Sequence, residues 1–210
     1  INYLSEDFYL IIYLFVIILL IFIFSNSSGN FLNILIAITS SVSNLGISLG
    51  NTPKNLSFIF LILVIIGGSF FSTSSGLRVI KVLSLIKFSI NNLLSHSKPN
   101  QIYLNKVSLI NSNSEKLDIN KYFLTILIFI LSLFIITLLL TASEITLEQS
   151  FKIGLLTIMN TVNSSMYGVG DFDFYNLSTF TRFTLIIFMI VGRIELLTIF
   201  ILIKKFLFKN

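Results

Sequence analysis

Long apolar runs separated by short polar stretches dominate this chain. The first half has an apolar run over 8–24, a shorter one over 31–40, a polar segment over 41–51, and a third run that begins at Leu56. A membrane-spanning helix needs about 20 apolar residues, so the run over 31–40 is too short to cross. It predicts a short helix that enters the bilayer and turns back.

The second half follows the same plan as the first. Tyr122–Leu140 predicts a span, Leu147–Met159 a short helix, 160–174 a polar loop, and Phe180–Phe208 a long span interrupted at Gly192-Arg193. A period of about 115–120 residues relates the halves, as expected of an internal repeat. The pattern predicts an all-α membrane protein with two repeats of span, re-entrant pore helix and span.

A polar break interrupts the second span of the first half. Residues 67–76 read GGSFFSTSSG between an apolar run and a basic amphipathic helix predicted over 77–94. Lipid cannot bond main-chain N–H and C=O groups, so such a break lies against protein or lines water. Broken helices of this kind are typical of proteins that move an ion or a polar solute.

The polar loop after each short helix has the features of a pore loop. The carboxyl end of a helix carries a partial negative charge, and the carbonyl oxygens of the next loop can replace the water shell of a cation. Gly46 allows backbone angles that orient such carbonyls. The alternative is an ordinary surface turn between two helices.

Composition excludes a soluble globular protein. Hydrophobic residues make up 55% and charged residues 11% of the chain, against about 25% charged in typical soluble domains. Cysteine is absent, which excludes disulfides and thiolate metal sites. The sequence shows no nucleophile–base pattern and no phosphate-binding loop, so we expect neither an enzyme nor a bound cofactor.

The positive charges lie between apolar runs rather than in a basic domain, so we expect no nucleic-acid partner. Between the second and third spans, Glu115 and Asp118 are outnumbered by basic residues: Arg78, Lys81, Lys87, Lys98, Lys106, Lys116 and Lys121. The positive-inside rule places this region in the cytoplasm. Its charges also suit anionic membrane lipid.

Arg193 is the charged residue that most needs an explanation. It lies in the middle of the last predicted span, where a charge costs several kcal/mol unless it faces water or a partner. Glu195 is two positions away and therefore points to another face of the helix. Arg193 predicts a cationic barrier in a pore, and the alternative is a structural ion pair or carbonyl contact.

Three segments carry a family resemblance: GGSFFSTSSGLRVIKVL at 67–83, SHSKPN at 95–100 and VGRIELLTIF at 191–200. In this order and spacing they resemble the carboxyl-terminal half of the Trk/Ktr/HKT potassium-transporter superfamily, and the Trk-type membrane subunit most closely. The resemblance implies four units around one cation path with pseudo-fourfold symmetry, of which this chain would supply two. It also implies the translocating subunit of a potassium uptake system in the cell (inner) membrane.

The resemblance divides the chain into a third unit over 1–94, a cytoplasmic connector over 95–120 and a fourth unit over 121–210. It implies an ion-binding filter formed by residues of the two loops: Ser43, Asn44, Leu45, Gly46, Asn163, Ser164, Ser165 and Met166. It implies a gating loop in the break: Gly67, Gly68, Ser69, Ser72, Thr73, Ser74, Ser75 and Gly76. Arg193 falls at the family's pore arginine.

The second filter departs from the family pattern. Two alignments place either Ser164 or Met166 where the family has glycine, so the sequence leaves open whether the transported ion is K⁺ or Na⁺. A pore of this kind needs two further units, which we expect from upstream sequence, a separate polypeptide or a second copy. The resemblance also implies a homodimer and a cytoplasmic nucleotide-binding regulatory subunit.

Two other functions remain open from the sequence. A secondary transporter for a small anionic solute would use broken helices whose amino ends converge on one site. An inactive fragment of a cation transporter would account for the weakened glycine pattern.

Overall fold

The computed structural model describes residues 3–24, 31–49, 56–66, 77, 79–97, 113–170 and 172–193. The helices in these ranges are α1 (Tyr3–Phe24), α2 (Phe31–Val42), α3 (Ser57–Ile65), α4 (Val79–Ser97), α5 (Asn113–Thr141), α6 (Leu147–Ile158) and α7 (Thr179–Arg193). A 3-10 turn spans Ser165–Tyr167. Within the described ranges there is no strand, only an isolated bridge between Ile66 and Leu77. The predicted all-α fold is confirmed.

The helix bounds follow the hydrophobic pattern closely. The two predicted short helices are present, and α2 and α6 have 12 residues each. One difference is α5, which begins at Asn113 rather than Tyr122. The stretch before its apolar run is mostly polar but includes Glu, Lys and Leu, which favour helix, so the helix extends into the predicted connector.

The helical run that begins at Ser57 is interrupted where the sequence predicts a break. Helix α3 ends at Ile65, and Leu77 lies beside it, because its N–H donates to the Ile65 carbonyl at 3.1 Å. The Tyr13 hydroxyl of α1 donates to the Ile66 carbonyl at 3.3 Å. These bonds satisfy carbonyls that a broken helix leaves without intrahelical partners. The predicted gating loop, 67–76, lies outside the described residues.

Helix α5 is the described helix most suited to a membrane. Its segment Ile119–Thr141 is long and apolar enough to cross a bilayer, with mean hydropathy 3.1. One face packs on α6 and α7 and buries Ile136 and Leu140, whereas Phe134 and Leu138 on the other side are exposed. An exposed stripe of large apolar side chains is suited to lipid or a partner.

The core lies where α2, α3, α5 and α6 meet. Its fully buried side chains are large and apolar, and they include Ile38, Phe60, Ile136 and Leu156. Helix α7 packs on α6 through Gly192, where an added methyl group would lie 2.0 Å from the Ile158 carbonyl oxygen. The missing side chain therefore lets the two backbones touch at the carboxyl end of α6.

Candidate functional site at the ends of two short helices

The short helix α2 ends in a left-handed turn at Asn44. The Asn44 N–H donates to the Ser41 carbonyl at 3.1 Å, and the Leu45 N–H donates to the Ser40 carbonyl at 2.9 Å. Asn44 has φ 59°. This pair of bonds with a left-handed residue is the Schellman cap, in which asparagine can take the place of glycine. It ends α2 sharply and turns the chain into the loop.

The short helix α6 ends in the same way. The Asn160 N–H donates to the Thr157 carbonyl at 3.1 Å, the Thr161 N–H donates to the Leu156 carbonyl at 3.0 Å, and Asn160 has φ 53°. Matching Asn160 to Asn44 aligns the stretch 159–162 with 43–46. Val162 then corresponds to Gly46, and the predicted filter stretch 163–166 follows immediately.

The two loops contact each other at Gly46. A methyl group on Gly46 would lie 2.6 Å from the Val162 carbonyl oxygen, 2.9 Å from the Val162 nitrogen and 2.8 Å from Thr161 Cγ2. Gly46 also has φ +74°, a value that L residues with side chains rarely adopt. Both its conformation and its surroundings therefore require glycine.

One hydroxyl group of α2 bonds the backbone of the first loop. Ser40 Oγ accepts a hydrogen bond from the Ile47 N–H at 2.7 Å. Ser40 is buried, whereas the loop side chains of Leu45 and Ile47 are more than half exposed. The loop backbone is thus bound to α2 while its apolar side chains point away from the described core.

Tyr167 connects the second loop to the first short helix. It lies in the 3-10 turn with 0% of its surface exposed, and its hydroxyl donates to Ser41 Oγ at 3.4 Å. The Ser41 hydroxyl in turn donates to the Ala37 carbonyl at 2.7 Å. The buried Tyr167 ring therefore joins the second loop to α2 of the first half of the chain.

Three side-chain oxygens of the second loop are buried without a hydrogen-bond partner in the described part of the chain. They are Thr161 Oγ1, Asn163 Oδ1 and Ser164 Oγ. Each unsatisfied buried polar group costs about 1–3 kcal/mol. Such groups are expected only where something else, such as a water or an ion, satisfies them.

Arg193 is the last residue of α7 and is exposed. The preceding Gly192 touches the carboxyl end of α6, and Asn160 Nδ2 donates to the Met189 carbonyl at 3.0 Å. These contacts place Arg193 near the level at which the second loop begins. Within the described residues Arg193 makes no ion pair.

The amino-terminal half of α6 carries the ion pair in which Lys152 Nζ lies 2.6 Å from Glu148 Oε1. The hydrogen bond from Lys152 and its positive charge lower the pKa of Glu148. Glu148 is exposed and lies in the first turn of α6, where the helix dipole also favours a negative charge.

The structure brings together some, but not all, of the residues that the sequence predicts for this site. The structure brings Gly46 of the predicted first filter against the second loop, but at 161–162 rather than within 163–166. Thr161 and Tyr167 were not anticipated. The signal that could have revealed Thr161 is the pair Asn44 and Asn160, whose separation in the sequence matches the predicted repeat of about 115–120 residues.

Comparison of the chain with protein-family models and with curated proteins finds no match. The resemblance to potassium transporters drawn from 67–83, 95–100 and 191–200 therefore stays a prediction.

Proposed function

We propose that this chain forms part of a membrane path for monovalent cations, as the translocating subunit of a potassium uptake system. In this proposal α1, α5 and the helices after each loop cross the bilayer. The short helices α2 and α6 enter it part-way, and their loops line the path. The two units are repeats, and together they form half of a pseudo-fourfold pore.

One observation carries the proposal: two loops, each following a 12-residue helix with the same cap, touch each other at Gly46 and Val162. Two ordinary surface turns on separate helical hairpins have no reason to share a backbone contact. Loops that line one path must approach each other, because they face a common axis.

The polarity of the short helices favours a cation over an anion. The loops that meet follow the carboxyl ends of α2 and α6, where the helix dipole is negative. An anion transporter built on broken helices would bring amino ends together instead. The contact at Gly46 therefore supports cation transport over the alternative of a small anionic solute.

Completion of the pore requires two further units in this proposal. Exposed apolar side chains on both loops, Leu45 and Val162 among them, are suited to contact with such units. Further sequence of the same protein, a separate polypeptide or a second copy would each supply them. A cytoplasmic nucleotide-binding subunit on the basic face is part of the same proposal and rests on the resemblance alone.

Complementation tests the transport proposal. The protein, with any flanking sequence of its reading frame, is expressed in bacteria that lack their own potassium uptake systems. We expect growth at low external K⁺ and uptake of radioactive rubidium. Gly46→Ser should weaken discrimination between K⁺ and Na⁺, and Thr39→Val, on the exposed face of α2, should leave it unchanged.

The competing functions give different results in the same cells and in liposomes. No uptake by folded, membrane-inserted protein, expressed together with the units that complete the pore, would reject transport and favour an inactive fragment. Current that requires an added organic anion would favour the secondary transporter. Equal ion competition in wild type and Gly46→Ser would reject the assignment of Gly46 to the filter.

A further inference from the structure

The two loops differ in the chemistry that they offer to a ligand. Gly46 has positive φ, whereas among the described residues other than glycine only Asn44, Glu144 and Asn160 do. Val162, which corresponds to Gly46, therefore has a different backbone conformation. A β-branched residue strongly disfavours the left-handed region. The second loop cannot present its carbonyls as the first loop does.

The second loop instead carries unpartnered side-chain oxygens. Thr161 is 5% exposed and Val162 is 58% exposed. The oxygens of Thr161 and Asn163 are both buried and lack partners in the described residues, whereas the side chain of Val162 between them is exposed. Ser164 adds a third such oxygen. Thr161 Cγ2 lies beside Gly46, which places this stretch at the contact between the loops.

We propose that Thr161 Oγ1, Asn163 Oδ1 and Ser164 Oγ form a binding site for a monovalent cation at the junction of the two loops. This inference rests on the proposed function and specifies it: one loop supplies main-chain oxygens and the other supplies side-chain oxygens. Thr161 and Asn163 are then specificity-determining residues of the path.

The ligand set selects the class of ion. All three groups are neutral oxygen donors, and the described residues contain no group of three His, Asp or Glu side chains that could hold a metal. Divalent calcium and magnesium sites rely on carboxylates. Neutral oxygens suit K⁺ or Na⁺, which carry a single charge.

The chain provides a matched control for this site. Thr157 lies one turn earlier and is also buried, but its hydroxyl donates to the Ile153 carbonyl at 2.7 Å. Thr157→Val removes a satisfied hydroxyl, whereas Thr161→Val removes one that lacks a partner in the absence of an ion. Both changes preserve side-chain shape.

The test is the thermal stability of the purified protein in detergent, in choline chloride against KCl, NaCl or RbCl at constant ionic strength. Wild type should be stabilised by K⁺ or Na⁺ in a saturable way. In choline, Thr161→Val should be at least as stable as wild type, and Thr157→Val less stable. Thr161→Val should raise the half-saturating cation concentration about 10-fold, the equivalent of one lost ligand. Thr157→Val should keep the wild-type value.

A variant with higher cation affinity makes the test independent of variants that lose affinity because they misfold. Asn163→Asp has the same shape and adds a negative charge, so it should lower the half-saturating concentration. The site is overturned if wild type shows no cation-dependent stabilisation, which is the result expected if a water rather than a cation satisfies these oxygens. It is also overturned if Thr161→Val keeps the wild-type response or if Asn163→Asp leaves it unchanged.

Failure of the site and failure of transport are distinguishable. If wild type takes up rubidium and Thr161→Val is stabilised by cations as wild type is, the site is rejected and the transport proposal is kept. A cation response that Thr161→Val abolishes, in a protein that moves no ions, would keep the site and reject transport.

Discussion

Replacing Gly46 by alanine tests the contact between the loops directly. Its φ of +74° costs a residue with a side chain about 1–2 kcal/mol. The new methyl group would also meet the backbone of Val162 at 2.6 Å, and overpacking of this kind costs about 1–3 kcal/mol. Together the two effects predict a loss of about 2–5 kcal/mol in the free energy of unfolding.

Gly168 separates the two contributions. It has φ +72°, but the nearest atom to a methyl group there would be the flexible end of Lys152 at 3.2 Å, and Ser57 would lie at an ordinary contact distance of 3.9 Å. Gly168→Ala should therefore cost only the conformational part, about 1–2 kcal/mol. Any loss of unfolding free energy in Gly46→Ala beyond that in Gly168→Ala measures the steric cost of placing a methyl group against the second loop.

Thermal unfolding in detergent, followed by helix circular dichroism because the chain has no tryptophan, provides the assay. A change of 1 kcal/mol shifts the midpoint by about 2–4 °C in a chain of this size, so Gly46→Ala should lower it by about 4–20 °C. Thr161→Ser removes the methyl that lies 2.8 Å from the new group. In that background Gly46→Ala should cost at least about 0.5 kcal/mol less.

Two results would refute the reasoning. Equal midpoints for Gly46→Ala and Gly168→Ala would mean that Gly46 has room for a side chain. Additive effects of Gly46→Ala and Thr161→Ser would mean that the Thr161 side chain does not lie against Gly46, which would remove one of the two contacts that support a shared ion path.

Four further predictions concern the elements around the loops. Gly192→Ala should cost about 3 kcal/mol or more in thermal unfolding, because its methyl would lie 2.0 Å from a carbonyl oxygen of α6; wild-type stability would contradict the packing of α7. Tyr167→Phe should lower the free energy of unfolding by about 1 kcal/mol and Tyr167→Leu by distinctly more, since the ring is fully buried. Equal melting midpoints for Tyr167→Phe and Tyr167→Leu would show that the ring is not needed. The hydrogen bond and positive charge of Lys152 lower the pKa of Glu148 in the folded state. The pair therefore stabilises the folded protein at pH values above the pKa that Glu148 has in the unfolded chain, and this stabilisation is lost as pH falls through the folded-state pKa. As pH is lowered, the melting midpoint should therefore fall slightly less in Glu148→Gln than in wild type. Identical falls in the two proteins would show that the ion pair does not contribute to stability. Arg193→Ala should raise rubidium uptake if the arginine is a barrier, and unchanged uptake by folded protein would reject that role.

The sequence alone determined most of the described helices and the short lengths of α2 and α6, although it placed the start of α5 at Tyr122 rather than Asn113. An apolar run that is too short to span predicts a short helix wherever it occurs, because the length of a helix depends on local residues. This reasoning predicted α2 and α6 to within a few residues and anticipated the break after α3. It also singled out Gly46 as a residue whose backbone angles matter.

Only the tertiary structure decided which residues meet. The contact of Gly46 with Val162 and the contact of Tyr167 with Ser41 each join residues more than about 100 positions apart. Nothing in local sequence encodes such a pairing, because it depends on how α2, α3 and α6 pack. The same packing buries the Thr161 hydroxyl without a partner, so a residue that reads as an ordinary loop threonine becomes a candidate ligand.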